Sequence, residues 1–439
     1  MRPRVTLYHR RRRAGLCSKQ HGTTMRATVA GLAMMACGVA GCGATSVAVS
    51  VSAKPVVYTV LIDVPPEISR EGEVQVSKYF PSLLRVHPGD TVVWRNVGFS
   101  GHYTVTFATD REAIPALYRG EDHGTLSHAR VVLNNAVVWP CVDAGALVNP
   151  QLDECSGSAE MGRAVKTWNG HGYANSGIIT RYFGNPLSES DVHEFALTLS
   201  RNIAPGTYRY FDETEPHMEG TLDVVAPQVS IPSPAAVSGE IGSDMKGAIQ
   251  EVLEACARQV PRLRDTARYV IVAGCGTKTG SYNVFLPSKL VVPPGASVHF
   301  VNGSTEVGEY HTVTFAPVYV FIGAPLGAIP YVVPVCGTKI VEPPLHSTKC
   351  ASGKTVSAEL DPAAAFATVH SGGSYKSKGF VSSGFFPAPY PATPQQTYSL
   401  RFAAPGSYFF GSVLQPGMTG EVIVNKSRNT QKATPTKKE

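Results

Sequence analysis

GTYRYFDETEPHMEG occupies residues 206–220, and GSYFFGSVLQPGMTG occupies residues 406–420. The phrases are equal in length, and Gly206, Pro216, Met218 and Gly220 return 200 positions later as Gly406, Pro416, Met418 and Gly420. Each follows the same turn, Ala204-Pro205 or Ala404-Pro405. Ahead of that turn, Phe195, Leu197 and Leu199 alternate with other residues, as do Tyr398, Leu400 and Phe402. Alternation at period two marks a strand with one buried face, and Pro-Gly marks the turn that reverses it. The chain is a duplication, and the duplicated unit is built of strands.

Working outward, FPSLLRVHPGDTVVWRNVGFSGHYTVTF at 80–107 answers FLPSKLVVPPGASVHFVNGSTEVGEYHTVTF at 285–315. His87-Pro88-Gly89-Asp90 is a tight turn between two apolar runs, and Tyr103–Phe107 alternates threonine with apolar residues. GYANSGII at 172–179 answers GFVSSGFF at 379–386. Many short strands punctuated by Pro and Gly predict antiparallel β-sandwiches. An immunoglobulin-like sandwich is the competing reading of that pattern taken alone.

The order and spacing of these motifs resemble the cupredoxins, the plastocyanin- and azurin-like blue-copper domains. Their ligand loop reads Y-x-Y-C-x-x-H-P-x-M-x-G, and an earlier run ends H-T-V-T-F. The resemblance covers roughly half of the chain beyond its leader and implies an all-β fold: two tandem cupredoxin-like Greek-key sandwiches with long disulfide-stapled insertions and a short helix between them. The family role it implies is copper binding and electron transfer. In this sequence the cysteine position holds Asp212 and Ser412, and the histidine position of the loop holds Glu215 and Gln415.

A blue-copper centre uses two imidazoles and one thiolate in a plane, with a distant thioether. In the second copy His311 falls at the upstream histidine position and Met418 at the thioether position. In the first copy Tyr103 takes that histidine register, and His102 lies one residue earlier, on the opposite face of a regular strand. His102, Asp212, Glu215, His217 and Met218 form a candidate replacement set for copper or zinc of the ordinary type. The same residues also read as a solvated acidic rim with no metal, and the methionines as packing. No two histidines are two residues apart, none adjoins a cysteine, and no G-x-S-x-G occurs. The pattern therefore excludes a multicopper oxidase and an elbow-type hydrolase, and no enzyme is expected.

Met25-Arg26, the apolar run 27–40 and Val39-Ala40-Gly41-Cys42 resemble a bacterial lipoprotein leader, with Met25 as a possible true start and Cys42 as the lipidated first residue. That predicts a leader at 1–41, a tether at 42–55 and a lipid membrane as partner. Residues 1–41 hold eight Lys/Arg and no Asp/Glu, leaving 31 basic against 33 acidic residues, a net of −2. The tail 426–439 adds five basic residues and one acidic one, so the body is acidic and carries no nucleic-acid footprint. The tail reads as a disordered basic end.

The expected domains are 56–225 and 240–425, with a Pro/Ser/Ala linker at 226–239. Met245, Ile249, Leu253 and Cys256 recur at helical spacing after it, predicting a helix beside the second sandwich. Beyond the leader, Cys42 aside, six cysteines remain: Cys141/Cys155 and Cys336/Cys350, each pair 14 apart, and Cys256/Cys275. An even count in an exported chain reads as disulfides. The intervals from Tyr103 to Asp212 and from His311 to Ser412 are 109 and 101 positions, long insertions of the kind that carry binding. The expectation is an extracytoplasmic, anchored binding or structural module with non-blue metal or none; the alternative is a functional copper electron-transfer protein with an unnamed redox partner.

Overall fold

The computed structural model describes residues 54–99, 101–108, 118–119, 132–133, 137, 141–142, 166–180, 193–215, 217–304, 309–315, 332–336, 339–340, 350–353, 357–360, 367–376, 379–386, 397–415 and 417–425. The leader with Met25 and Cys42, the basic tail, and Cys155 lie outside the described residues, so the expected Cys141–Cys155 bond does too.

Each copy is a two-layer sandwich, and the layers share one strand order, with Cys141–Val142 of the first copy having no counterpart among the described strands. In the first copy one layer runs Lys166–Trp168, Glu194–Leu199, Thr91–Asn96, Val57–Ile62, Tyr79–Phe80. The other runs Leu83–Val86, Glu219–Val224, Gly206–Phe211, Thr106–Phe107, Ala174–Asn175, Cys141–Val142. The second copy answers with Gly373–Tyr375, Thr397–Phe402, Ala296–Asn302, Val270–Thr277, Gly280–Leu286, and with Lys289–Val292, Thr419–Val424, Gly406–Gly411, Thr314–Phe315, Val381–Ser382. The layers are mixed, not purely antiparallel: Val57–Ile62 runs parallel to Thr91–Asn96, and Leu83–Val86 parallel to Glu219–Val224. The period-two reading holds, with every second residue of Glu194–Leu199 and Thr397–Phe402 buried.

Four aromatic rings fill each core at matching positions. Trp94, Tyr210, Phe107 and Tyr79 correspond to Phe300, Phe410, Phe315 and Phe285, all fully buried. The ring spacings repeat: Tyr79–Tyr210 and Phe285–Phe410 are both 4.7 Å, and Trp94–Tyr210 and Phe300–Phe410 are 5.3 and 5.2 Å. Burying such a ring contributes about 1.5–3 kcal/mol, so the cores alone give each copy its reason to close.

Three features join the copies. The helix is longer than expected, Pro234–Arg264, and takes up part of the presumed linker. Ser233 caps it by accepting from the Ala236 amide at 3.3 Å, and Pro234 opens it without loss because its missing N–H would have no partner there. Its buried face (Ile241, Met245, Ala248, Ile249, Val252) packs on Val64, Val74, Val76 and Phe80 of the first copy. Its far end meets the second copy, to which Cys256 is bonded through Cys275. The helix therefore bridges both sandwiches and does not lie beside the second alone. Strand Val74–Gln75 of the first copy pairs with Gly280–Leu286 of the second and extends that layer.

The insertions supply the third join. Tyr118–Arg119 and Val132–Leu133 of the first copy share one sheet with Val332–Cys336, Lys339–Ile340 and Ser357–Leu360 of the second. The crossing point is Glu359 opposite Val132. Cys336 and Cys350 form a disulfide within the second insertion. Segments expected as free loops thus contain strands that complete each other. Among the described residues no helix is long and apolar enough to cross a membrane.

Candidate functional site

The duplicated phrase folds into the same turn twice. The Asp212 amide donates to the Met218 carbonyl at 3.1 Å and the Met218 amide to the Glu215 carbonyl at 2.9 Å; Ser412, Met418 and Gln415 repeat both bonds at 2.9 and 3.1 Å. Across the sandwich, the Thr104 amide donates to Asp212 Oδ2 at 2.7 Å and the Thr312 amide to Ser412 Oγ at 3.2 Å. The threonine hydroxyls complete the pattern, accepting from the Glu213 and Val413 amides at 2.8 and 2.9 Å. This is the place where the resemblance puts a metal-facing thiolate.

In the first copy the aspartate is a backbone clamp. Besides Thr104, Asp212 Oδ1 accepts from the Thr214 amide at 2.7 Å, the Thr214 hydroxyl at 2.6 Å and the Glu215 amide at 2.9 Å. Burial raises its carboxyl to about 6, against the pull of these donors. Tyr103, in the histidine register, bridges to Ile179 through the backbone and donates its phenol to Asp63 Oδ2 at 2.9 Å. Asp63 also accepts the Val64 and Val76 amides at 2.7 and 2.6 Å, and burial raises it to about 7.

In the second copy the position is closed by an amide. His311 bridges to Phe386 as Tyr103 does to Ile179. Gln415 Oε1 accepts the Ser412 hydroxyl at 2.6 Å and lies 3.1 Å from His311 Nδ1, while Gln415 Nε2 donates to the Tyr310 carbonyl at 2.8 Å. A carbonyl oxygen only accepts, so Nδ1 carries the ring proton and Nε2 presents a lone pair. Burial holds the imidazole neutral, its pKa lowered to about 4.

The expected ligands are therefore not gathered. Asp212 uses both oxygens on donors, His217 is exposed, and His102 is half-buried with its carbonyl oxygen 2.5 Å from Thr214 Oγ1. Met218 and Met418 are packed in the two cores. Glu215 turns to the boundary between the copies, where Ser77 meets its carboxyl. Among the described residues no group of three His, Cys, Asp or Glu side chains could hold a metal ion. A cation needs lone pairs not already spent on N–H groups, so neither the blue-copper set nor the replacement set fits.

Four residues outside the expected set decide this geometry: Asp63, Gly98, Gly101 and Glu309. Asn96 Nδ2 donates to the Gly101 carbonyl and Asn302 Nδ2 to that of Glu309, at 3.0 and 3.1 Å, so Gly101 and Glu309 are equivalent. The Gly98 and Ser304 amides likewise donate to Asn96 and Asn302 Oδ1. The only sequence signal was Asp63, a charge ending an apolar strand.

No family model and no curated protein matches the sequence. Among solved structures, the chain is similar to a Cu(I) amicyanin variant at 15% identity, over 37% of this chain and 87% of that one, with a TM-score of 0.17. It is similar to a purple cupredoxin from Nitrosopumilus maritimus at 13%, over 36% and 100%, with a TM-score of 0.15. A Cu-containing nitrite reductase from Thermus scotoductus aligns at 12% over 84% of this chain and 68% of that one, with a TM-score of 0.20.

Proposed function

We propose that this chain is an exported, lipid-anchored tandem cupredoxin-like scaffold that carries neither an electron-transfer copper nor a catalytic centre and serves to bind a partner. The carrying observation is that both metal-facing turns are closed by internal hydrogen bonds: Asp212 on four donors, and Ser412, Gln415 and His311 on one another. Without a thiolate no covalent Cu–S bond supplies the coupling that fast electron transfer requires. The disulfides Cys256–Cys275 and Cys336–Cys350 support an oxidising compartment, and the leader motif ending at Cys42 supports the anchor. The joint sheet of the two insertions supports a binding platform that needs both copies.

Copper loading of the purified chain tests the reading. Wild type is expected to show no intense band near about 600 nm, where thiolate-to-copper charge transfer absorbs, and no tightly held equivalent by elemental analysis. Ser412→Cys combined with Gln415→His, beside His311 and Met418, is the positive control. A blue wild-type protein, or one copper retained per chain, would overturn the proposal.

A further inference from the structure

Five side chains stand together on the outer face of the second copy's second layer. Val291 pairs with Ile423 and Lys289 with Glu421 across one strand boundary, and Phe409 lies opposite Glu421 across the next. Alternation along the strands turns all five outward, away from the core residues Val292, Phe410, Val422 and Val424. Val291 and Phe409 are half exposed. Among the described residues, neither they nor Ile423 join a core cluster.

The frame does not ask for an apolar face here. The first copy folds the same layer with Arg85, Asp223 and Arg209 at the positions of Val291, Ile423 and Phe409. A contiguous apolar patch that folding does not need marks a surface that another molecule covers. Phe409 supplies the kind of ring that anchors such contacts.

The charges identify the occupant. Lys289 and Glu421 are the only charged residues of Lys289–Val292, Gly406–Gly411 and Thr419–Val424, and they pair at 2.8 Å. The face is therefore neutral, with one cation beside one anion, and a strongly acidic or basic partner gains nothing from it. A second copy turned by a two-fold axis sets Lys289 of each chain against Glu421 of the other. The face complements itself.

We propose that this face is a self-association surface: two chains meet through it about a two-fold axis, packing Phe409, Ile423 and Val291 together and crossing Lys289 to Glu421. The patch is small, so the dimer is weak and concentration-dependent, at the low end of the interface range. This association goes beyond the partner-binding role, which neither requires it nor supplies it.

Sedimentation of the full chain from about 1 to about 200 µM is expected to show a monomer–dimer equilibrium. Phe409→Arg with Ile423→Asp and Val291→Arg installs residues that the first copy carries in the same frame, and circular dichroism checks that the variant stays folded. It is expected to weaken association at least about thirtyfold, the loss of one interface anchor. Lys289→Glu and Glu421→Lys should each be monomeric alone, and their equimolar mixture should dimerise, because the reversed charges complement each other only between chains. A wild type that stays monomeric at the highest concentration overturns the proposal, as does a dimer that survives the triple substitution. So does a mixture no more associated than its components, since the occupant would then not be a second copy meeting the same face.

Discussion

The two copies keep one frame and solve the same corner in opposite ways. Asp63 follows strand Val57–Ile62, and Gly274 takes the equivalent place at an irregularity inside Val270–Thr277; the two share a left-handed backbone, φ 65° and 61°. In the first copy Asp63 reaches the Tyr103 phenol, and glycines make the room: a Cβ on Gly98 would lie 1.9 Å from Asp63 Oδ2, and one on Gly101 2.2 Å from the Tyr103 ring. In the second copy the glycine stands at 274, where a Cβ would lie 2.2 Å from His311 Nε2, and Ser304 and Glu309 carry the side chains instead. Four positions have exchanged together: Asp63, Gly98, Gly101 and Tyr103 against Gly274, Ser304, Glu309 and His311. The one corner thus has two packing solutions, each of which excludes the other's residues.

Breaking the exchange one residue at a time should have the largest effect. Gly274→Asp forces a carboxyl against the His311 ring and is expected to cost more than about 3 kcal/mol in denaturant unfolding. Adding Ser304→Gly, Glu309→Gly and His311→Tyr transplants the whole corner and should recover at least half of that loss. If the fourfold variant is no more stable than Gly274→Asp alone, the four positions are not one unit.

The next test sharpens the contrast between the turns. Asp212→Ala strands the Thr104, Thr214 and Glu215 amides, and should cost about 3 kcal/mol, whereas Ser412→Ala should cost about 1 kcal/mol. The two differ in pH dependence as well. Asp212 is raised to about 6 from an ordinary value near 3.8, so its contribution is whole below the ordinary value and lost as pH rises through about 6. The cost of Asp212→Ala should shrink from pH 4 to pH 8, while that of Ser412→Ala, which titrates nothing, should not change. Thermal unfolding at both pH values checks this. Equal pH dependence in the two variants would remove the aspartate's special role.

Both sandwiches were legible in the sequence because alternating burial is written in residue type: Phe195, Leu197 and Leu199 can lie only one way on a half-buried strand. The turn was legible through Gly206, Pro216, Met218 and Gly220. The corner was not, because it depends on residues brought together from distant strands. Asp63 and Tyr103 are 40 positions apart, and Gly98 and Gly101 read as ordinary loop glycines until the side chains they make room for are placed. The helix was underestimated for a local reason. Pro, Ala and Ser read as linker composition, yet Ser233-Pro234 is also a helix start. The joint sheet of the insertions was hidden because neither insertion holds both halves of it.

The smallest effect is expected where the copies differ most in appearance. On the outer face of the second layer, the first copy pairs Arg85 with Asp223 at 3.1 Å and Arg209 with Glu219 at 2.6 Å. At the same positions the second copy has Val291, Ile423, Phe409 and Thr419, with Val291 and Phe409 each half exposed. Exposed ion pairs contribute about 0–1 kcal/mol, and exposed apolar side chains bury little when the chain folds. Exchanging the first face for the second, through Arg85→Val, Asp223→Ile, Arg209→Phe and Glu219→Thr, should therefore change unfolding stability by less than about 1 kcal/mol. A loss above about 2 kcal/mol would mean that these pairs hold the layer together. The near neutrality expected here, set against the cost at Gly274, separates what the frame requires from what it merely tolerates.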